Sequence, residues 1–398
     1  MHQFEINFEE WMSYFNFNTW ELIAISIFLL LFLIQLYYYL FPFRKLYQQA
    51  KKSKENCSGE QPGVSVIIHS DNDAEGLKKA LQGVLEQDYP SFEVIVVNDR
   101  YTEECQVLIH ACKEKYSNLY STYIPEESKS LSRKKLAITL AAKAAKNEIL
   151  LLTEPHCEIT SKNWIAKMVR NYSPGIDIVI GYCRVKSKNP YLKRLASFDN
   201  LFSVIQYLGK AVSGTPYKGA NRNLSYRKEL FFKGKGFSRY MHLQAGEDDL
   251  FILENATEKN IQVEIAPESI PDLCTTANQW KDKKMRSMLT SDYYPSKIKL
   301  FLQTEATSRN LFYLTFCVII GLTIPALFNV FILVPVGLLF LIRFLVQCRV
   351  INKTAKFLGD RKYRFSLIYL DFILPYVNLY YKICRRFDGG KDYTYSSN

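Results

Sequence analysis

The sequence predicts an α/β domain with a mostly parallel sheet, set between apolar helices at both ends of the chain. Three observations predict it. Charge-free apolar runs occur early and late in the chain. Between them, short β-branched runs alternate with segments of helical spacing. Those short runs end in polar or acidic residues, where α/β sheets bind ligands.

The early apolar run is Leu22 to Leu40, 19 residues without a charge. At about 1.5 Å per residue it spans the hydrocarbon thickness of a bilayer. Trp20 stands at one end and Tyr37, Tyr38 and Tyr39 at the other, as in an aromatic belt. The segment before it carries Glu5, Glu9 and Glu10 and no Lys or Arg, unlike a signal peptide. Arg44, Lys45, Lys51, Lys52 and Lys54 follow it. The positive-inside rule then predicts an extracytoplasmic segment 1–19, a transmembrane helix 20–43 and a basic linker 44–61.

The domain follows. Val64–His69 and Phe92–Val97 read as buried strands around a helix at Glu75–Gln87, whose apolar residues are Leu77, Ala80, Leu81 and Val84. Leu131–Lys146 reads as a second helix, and Ile149–Thr153 and Ile176–Tyr182 as further strands. The residues just beyond strand ends are Ser70–Asp73, Asn98–Tyr101 and Glu154–His156. Any one of these suits a cap or turn; three in one sheet point to a ligand site.

The late run, Leu311 to Ile342, has 32 residues without Asp, Glu, Lys or Arg. That is too long for one ordinary span. Pro325 and Asn329 supply a turn, which predicts two transmembrane helices within 308–349, with Arg343 and Arg349 snorkelling to the cytosolic face. Phe365 to Ile383 is apolar but contains Asp371 and Pro375. It reads as an interfacial or re-entrant helix within 350–398, with a third full span as the alternative.

Composition narrows the function. The chain has 398 residues, with 51 Lys+Arg against 39 Asp+Glu and a net charge of +12, which suits an anionic partner. Nine cysteines, with no CxxC or Cys/His quartet, argue against a disulfide framework or a structural zinc. The basic residues lie near the membrane ends, not in one stripe with interleaved aromatics, which argues against nucleic acid. Too few spans and no inverted repeat argue against a transporter.

Residues 62–300 resemble the family 2 inverting glycosyltransferases, in the order of their motifs. VSVIIHSDND resembles the family's first strand, and LEQDYPSFEVIVVNDRYTEE the segment leading to its paired-Asp turn. SRKKLAITLAAKAAKNEILLLTEPHC resembles the lysine-bearing helix and the strand ending in Asp-x-Asp. GANRNLSYRKELF and GFSRYMHLQAGEDDLF resemble the acceptor loop and the Glu-Asp motif of the catalytic base. The helices at either end resemble those of membrane-bound members. The resemblance implies a Rossmann-like, mostly parallel mixed sheet of the glycosyltransferase A type. It implies a cytosolic domain at the cytoplasmic (inner) membrane, a nucleotide-sugar donor carrying UDP, and a lipid-linked or glycan acceptor.

The resemblance also assigns roles. Ser70, Asp73 and Asp99 face the nucleotide, and Lys134, with Lys135 beside it, faces phosphate. Asp248 is the general base with Glu247 next to it, because an acceptor hydroxyl is a poor nucleophile at neutral pH. Asn221 positions donor sugar or acceptor. The basic stretch after the base reads QWKDKKMRS, so Trp280, Lys283, Lys284 and Arg286 fall where relatives grip acceptor and diphosphate; anionic headgroups are an equal reading of that cluster. The Asp-x-Asp positions hold Glu154, Pro155 and His156 instead. Glu154 and His156 are the candidate metal ligands, and the imidazole favours manganese over magnesium. These departures leave a second function open: a catalytically impaired nucleotide-sugar-binding subunit.

Overall fold

The computed structural model describes residues 16–52, 61–99, 102–125, 128 and 132–387. Lys54, Tyr101 and the glutamates before Trp20 lie outside them. The chain divides into two compact units: Met1–Arg44, Ser296–Asn352 and Tyr363–Val377 form one, and Lys45–Pro295, Lys353–Lys362 and Asn378–Asn398 the other.

The larger unit is an α/β domain. Its elements are α2 (Pro42–Lys52), β1 (Val64–Ser70), α3 (Ala74–Leu85), β2 (Phe92–Asn98), α4 (Glu103–Lys115), β3 (Leu119–Tyr123), α5 (Arg133–Ala144) and β4 (Ile149–Thr153). They continue with β5 (Cys157–Glu158), α6 (Trp164–Val169), β6 (Ile178–Gly181), β7 (Arg184–Lys186), α7 (Pro190–Val212), β8 (Leu224–Arg227) and α8 (Lys228–Lys233). The last are α9 (Asp249–Asn255), β9 (Ile261–Glu264), β10 (Asp272–Cys274) and α10 (Ala277–Ser291). α1 (Thr19–Leu40) belongs to the other unit.

Seven strands form one sheet in the order β3-β2-β1-β4-β8-β6-β9. The β3-β2-β1-β4 half is parallel, and β8 runs antiparallel to both β4 and β6. A small second sheet joins β5, β10 and β7. The central strands are apolar on both faces because helices cover both. Val64, Val66, Ile68, Val94, Val96 and Leu151 pack with Leu77, Leu81 and Val84 of α3 and with Trp164 and Met168 of α6.

The smaller unit is helical: α1, α11 (Ser296–Thr323), α12 (Leu333–Phe357) and much of α13 (Ser366–Phe387). Among the described residues three helices, Thr19–Gln49, Ser296–Thr323 and Val330–Phe357, are long and apolar enough to cross a membrane. Leu22, Ile27, Leu30 and Leu33 of α1 are exposed, as a lipid-facing surface requires. Phe28 stacks on Phe312 with ring centroids 4.5 Å apart, and both belong to a core with Ile319, Ile332 and Val336. The turn between α11 and α12 falls at Pro325–Asn329, where Ala326 adopts φ 57° and Asn329 caps the next turn. α11 begins well before the charge-free run, because Lys297, Lys299 and Glu305 interrupt the apolar pattern but not the helix.

Arg343 does not snorkel. It is 1% exposed, and its guanidinium donates to Asp371 Oδ2 at 2.8 Å and to Gln35 Oε1 at 2.8 Å. Arg309 reaches the other oxygen of Asp371 at 3.2 Å, and the Tyr313 hydroxyl donates to Asp371 at 2.8 Å. Asp371 is the physical reason. A carboxylate inside the bundle compensates the guanidinium where lipid offers nothing.

Candidate active site

The register sets the site's floor. Ser70 pairs with Asn98, and Ile68 with Thr153, so β1, β2 and β4 end side by side. Ser70 and Asn98 are fully buried, and among the described residues the Ser70 hydroxyl and both Asn98 amide atoms have no hydrogen-bond partner. Asp99 follows β2. Its N–H donates to Ser70 O at 2.8 Å, and its carboxylate accepts from the Arg133 guanidinium. Burial would raise the Asp99 carboxyl, but His69, 3.5 Å away, and Arg133 bring it below its usual value.

Asp73 caps α3 by accepting from Gly76 N–H at 2.8 Å. A Cβ at Gly76 would press on Asp73 Oδ2, so a larger residue there would displace the cap. His156 Nε2 lies 2.6 Å from the same oxygen. His156 itself sits at φ 62°, and its N–H donates to Gly76 O at 3.1 Å. The segment after β4 is therefore tied to the start of α3.

The antiparallel strand delivers the next group. Leu152 of β4 pairs with Leu224 of β8, so β8 begins where β4 ends. The loop before β8 then meets the residue after β4. Arg222 Nε donates to Glu154 Oε2 at 2.8 Å, and Lys134 Nζ on α5 reaches Glu154 Oε1 at 2.5 Å. Burial alone would raise Glu154, but these two cations hold it well below the usual carboxylate range. The two asparagines of this loop differ. Asn223 accepts from Trp164 Nε1 at 3.0 Å and donates to Tyr182 O and Ser269 O at 2.8 and 2.7 Å. Asn221 is 3% exposed, and among the described residues both its amide atoms are without a partner. Asn223 pins the loop.

The three acids at 247–249 have three different surroundings. Gly246 precedes them at φ 102°, and a Cβ there would strike Leu250 at 2.6 Å, so the turn into α9 needs glycine. Glu247 Oε1 lies 3.0 Å from Lys134 Nζ and 3.2 Å from Arg286 Nη2. Against the effect of burial, these cations bring it down to about 2. Asp249 Oδ2 accepts from the Thr290 hydroxyl and, at 2.8 Å, from the Tyr294 hydroxyl. Among the described residues the Asp248 carboxylate accepts only the N–H of Asp249, at 2.8 Å. Burial, Asp249 and Glu247 push Asp248 up to about 7. It is the carboxylate poised to exchange a proton near neutrality.

The basic stretch splits. Arg286 joins the site through Glu247. Lys283 donates to Asn200 Oδ1 at 2.9 Å, and burial and Arg222 bring it down to about 7. Trp280 and Lys284 instead hold Asp199 of α7, Trp280 through Nε1 at 3.0 Å. Trp280 also packs edge-on against Tyr381, with centroids 5.8 Å apart. Lys135 is buried and structural, donating to Tyr240 O at 2.5 Å and Leu243 O at 2.7 Å. The sequence reading passed over Arg222, although it adjoins Asn221. It also passed over Lys218, which donates to Ser287 Oγ at 2.8 Å and bears electrostatically on Asp248. Asp199 carried no signal: it lies in an ordinary helical stretch.

Residues 65–239 match the family described as glycosyl transferase family 2. Residues 65–239 are thereby a family 2 glycosyltransferase domain. Among solved structures, a mannosyltransferase from Pyrobaculum calidifontis in complex with GDP-Man and Mn2+ is similar over 93% of this chain and 99% of that one, with a TM-score of 0.56 and 16% identity. S. aureus TarS in complex with UDP is similar over 62% of this chain and 71% of that one, with a TM-score of 0.39 and 17% identity. A search of curated proteins finds no match. The fold is of the glycosyltransferase A type, and the protein is a glycosyltransferase.

The fold family implies a divalent metal, and the expected ligands were Glu154 and His156. In the glycosyltransferase domain they do not fit one as they stand. A hard cation takes several oxygen donors with free lone pairs. Both Glu154 oxygens already accept from Lys134 and Arg222, and His156 faces Asp73. Among the described residues no group of three His, Cys, Asp or Glu side chains could hold a metal ion.

Proposed function

We propose that the enzyme transfers a sugar from a nucleoside-diphosphate donor to an acceptor hydroxyl, with inversion, using Asp248 as base. The carrying observation is the inequality of the three acids. Glu247 is neutralised by Lys134 and Arg286, Asp249 is held by two hydroxyls, and Asp248 alone is poised near neutral pH. One free carboxylate suits a single displacement. The acceptor oxygen attacks the anomeric carbon, and its proton passes to Asp248. The bond to the β-phosphate oxygen breaks, and its electron pair leaves with the nucleoside diphosphate.

The unpartnered Ser70 and Asn98 and the carboxylates of Asp73 and Asp99 form the nucleotide end of the site. Asn221 sits at the sugar or acceptor end. UDP is the donor nucleotide of this reading. GDP is tested beside it, because the Pyrobaculum mannosyltransferase was solved with GDP-Man. The acceptor is a lipid-linked sugar or a growing glycan. The helices long enough to cross a bilayer, with Arg44 and Lys45 after the first, support a catalytic domain on the cytosolic side of the inner membrane. The preference for manganese over magnesium rested on the imidazole of His156, which faces Asp73.

The test uses detergent-purified full-length protein and the Asp248→Asn variant. UDP- and GDP-sugars are screened for nucleotide release with a membrane lipid extract as acceptor source. Release by wild type, reduced about 10²–10⁴-fold in the variant, is the expected result. Nucleotide binding without release by either protein, extract included, would instead establish the binding-subunit reading.

A further inference from the structure

We propose that Lys134 and Arg222 occupy the functional place of the divalent cation and neutralise the donor diphosphate themselves, so that donor binding and transfer need no metal. The inference rests on the transferase reading above and names which charges serve its leaving group.

Three observations carry it. The first is the donor set. Where an Asp-x-Asp would present two carboxylates, this chain has one carboxylate and one imidazole. The imidazole is turned 2.6 Å from Asp73, on the α3 cap. The second is what Glu154 holds. Two cations from different elements converge on it, Lys134 from α5 and Arg222 from the loop before β8. Lys134 also bridges to Glu247, 3.0 Å away. Glu154 thus acts as a positioning residue that aims a fixed ammonium and a fixed guanidinium.

The third is local charge. Lys134, Arg222 and Arg286 converge on Glu154 and Glu247, with the Asp248 and Asp249 carboxylates beside them. Lys218 and Lys283 lie near enough to Arg222 and Asp248 to influence or be influenced by them. Cations that converge from α5, the loop before β8 and α10 can meet a phosphate group. Asn221, buried beside Arg222 with its amide unpartnered, supplies a neutral donor to the same ligand. A guanidinium matches phosphate geometry in a way that a point charge does not.

The chemistry balances without a metal. As the bond from the anomeric carbon to the β-phosphate oxygen breaks, the added negative charge on that oxygen meets Arg222 and Lys134. The acceptor's proton goes to Asp248, and the nucleoside diphosphate departs as the anion. Preorganised cations in a water-poor site stabilise such developing charge strongly.

The test is nucleotide binding by the full-length protein in detergent, with UDP and GDP as probes, in excess EDTA and in excess Mn2+. The expected result is an affinity that changes by no more than about twofold between the two media. Arg222→Met and Lys134→Met should each weaken binding in EDTA by roughly 10–100-fold, as expected for a lost charge-assisted bond. Arg222→Lys keeps the charge and should recover part of that loss. It also serves as the comparison if the Met variant folds poorly. Replacing both Glu154→Asp and His156→Asp should make binding Mn2+-dependent.

Binding that vanishes in EDTA and returns with Mn2+ in the wild type would overturn the proposal. Binding in EDTA without transfer to any acceptor would support it while removing the transferase reading. No binding of either nucleotide in either medium would overturn both.

Discussion

Asp248 shows how a single residue is set apart by its neighbours. Its carboxyl is pushed up to about 7 by burial and by Asp249 and Glu247. The pH dependence follows. As a base, Asp248 works only after losing its proton, so its ionisation should make kcat/KM rise as pH passes through about 7. Lys283, brought down to about 7, loses its positive charge over the same range. Donor affinity should then fall on the alkaline side, giving a bell whose limbs are properties of the coupled site. A Lys283→Met variant should lose the alkaline limb, which a pH series of KM reads directly.

Stability should move the other way. A carboxyl whose folded pKa is raised contributes stability that is fully present below the unfolded pKa, near pH 4. That contribution is lost as pH rises through about 7. Asp248→Asn removes the buried charge. It should therefore melt higher than wild type at pH 8, with the difference shrinking towards pH 4, at about 1.4 kcal/mol per unit of relieved shift. Equal melting temperatures at pH 8 would mean that Asp248 is not under that strain.

At the scale of elements, α5 separates two adjacent lysines. Ser132 caps the helix by accepting from Lys135 N–H at 3.4 Å. Lys134 then faces Glu154 and Glu247, while Lys135 turns inward to the Tyr240 and Leu243 carbonyls. Lys135→Met should lower stability by about 1–3 kcal/mol, since two buried carbonyls lose their donor. Lys134→Met takes away the cation that Glu154 and Glu247 share, so it should lower both the melting temperature and donor affinity, whereas Lys135→Met should leave donor affinity close to wild type. Thermal melting and nucleotide titration on the same two proteins decide this. The reverse assignment of effects would show that the helix face has been misjudged.

Motif residues were legible at this scale because local chemistry marks them. Gly246 has the left-handed backbone a turn needs, and Asp73 stands where a cap belongs. Their partners were not legible. Thr290 and Tyr294 lie far from Asp249 in sequence, and Arg222 meets Glu154 only because β8 is antiparallel to β4.

At the scale of the whole molecule, the helical unit holds charge inside an apolar bundle. Asp371 is fully buried between Arg309 and Arg343. Removing it leaves two guanidinium groups short of a carboxylate. Asp371→Ala should therefore cost about 3–5 kcal/mol, seen as a lower melting temperature in detergent. An unchanged melting temperature would mean that water reaches these arginines. The apolar pattern around Asp371 gave no sign that Arg343 would turn inward. Hydropathy counts a charge but not its partner.

The sequence by itself determined the α/β alternation, the apolar helices at either end and the motif order that matches family 2 glycosyltransferases. Each depends on patterns of a few neighbouring residues, which fix local conformation and burial. Only the tertiary structure decided the pairings: which of three adjacent acids is left poised, which lysine faces the site, and that Glu154 meets two cations. These depend on strand order and helix packing, which bring together side chains that no local pattern relates. Electrostatic free energy falls with distance in space and takes no account of separation along the chain.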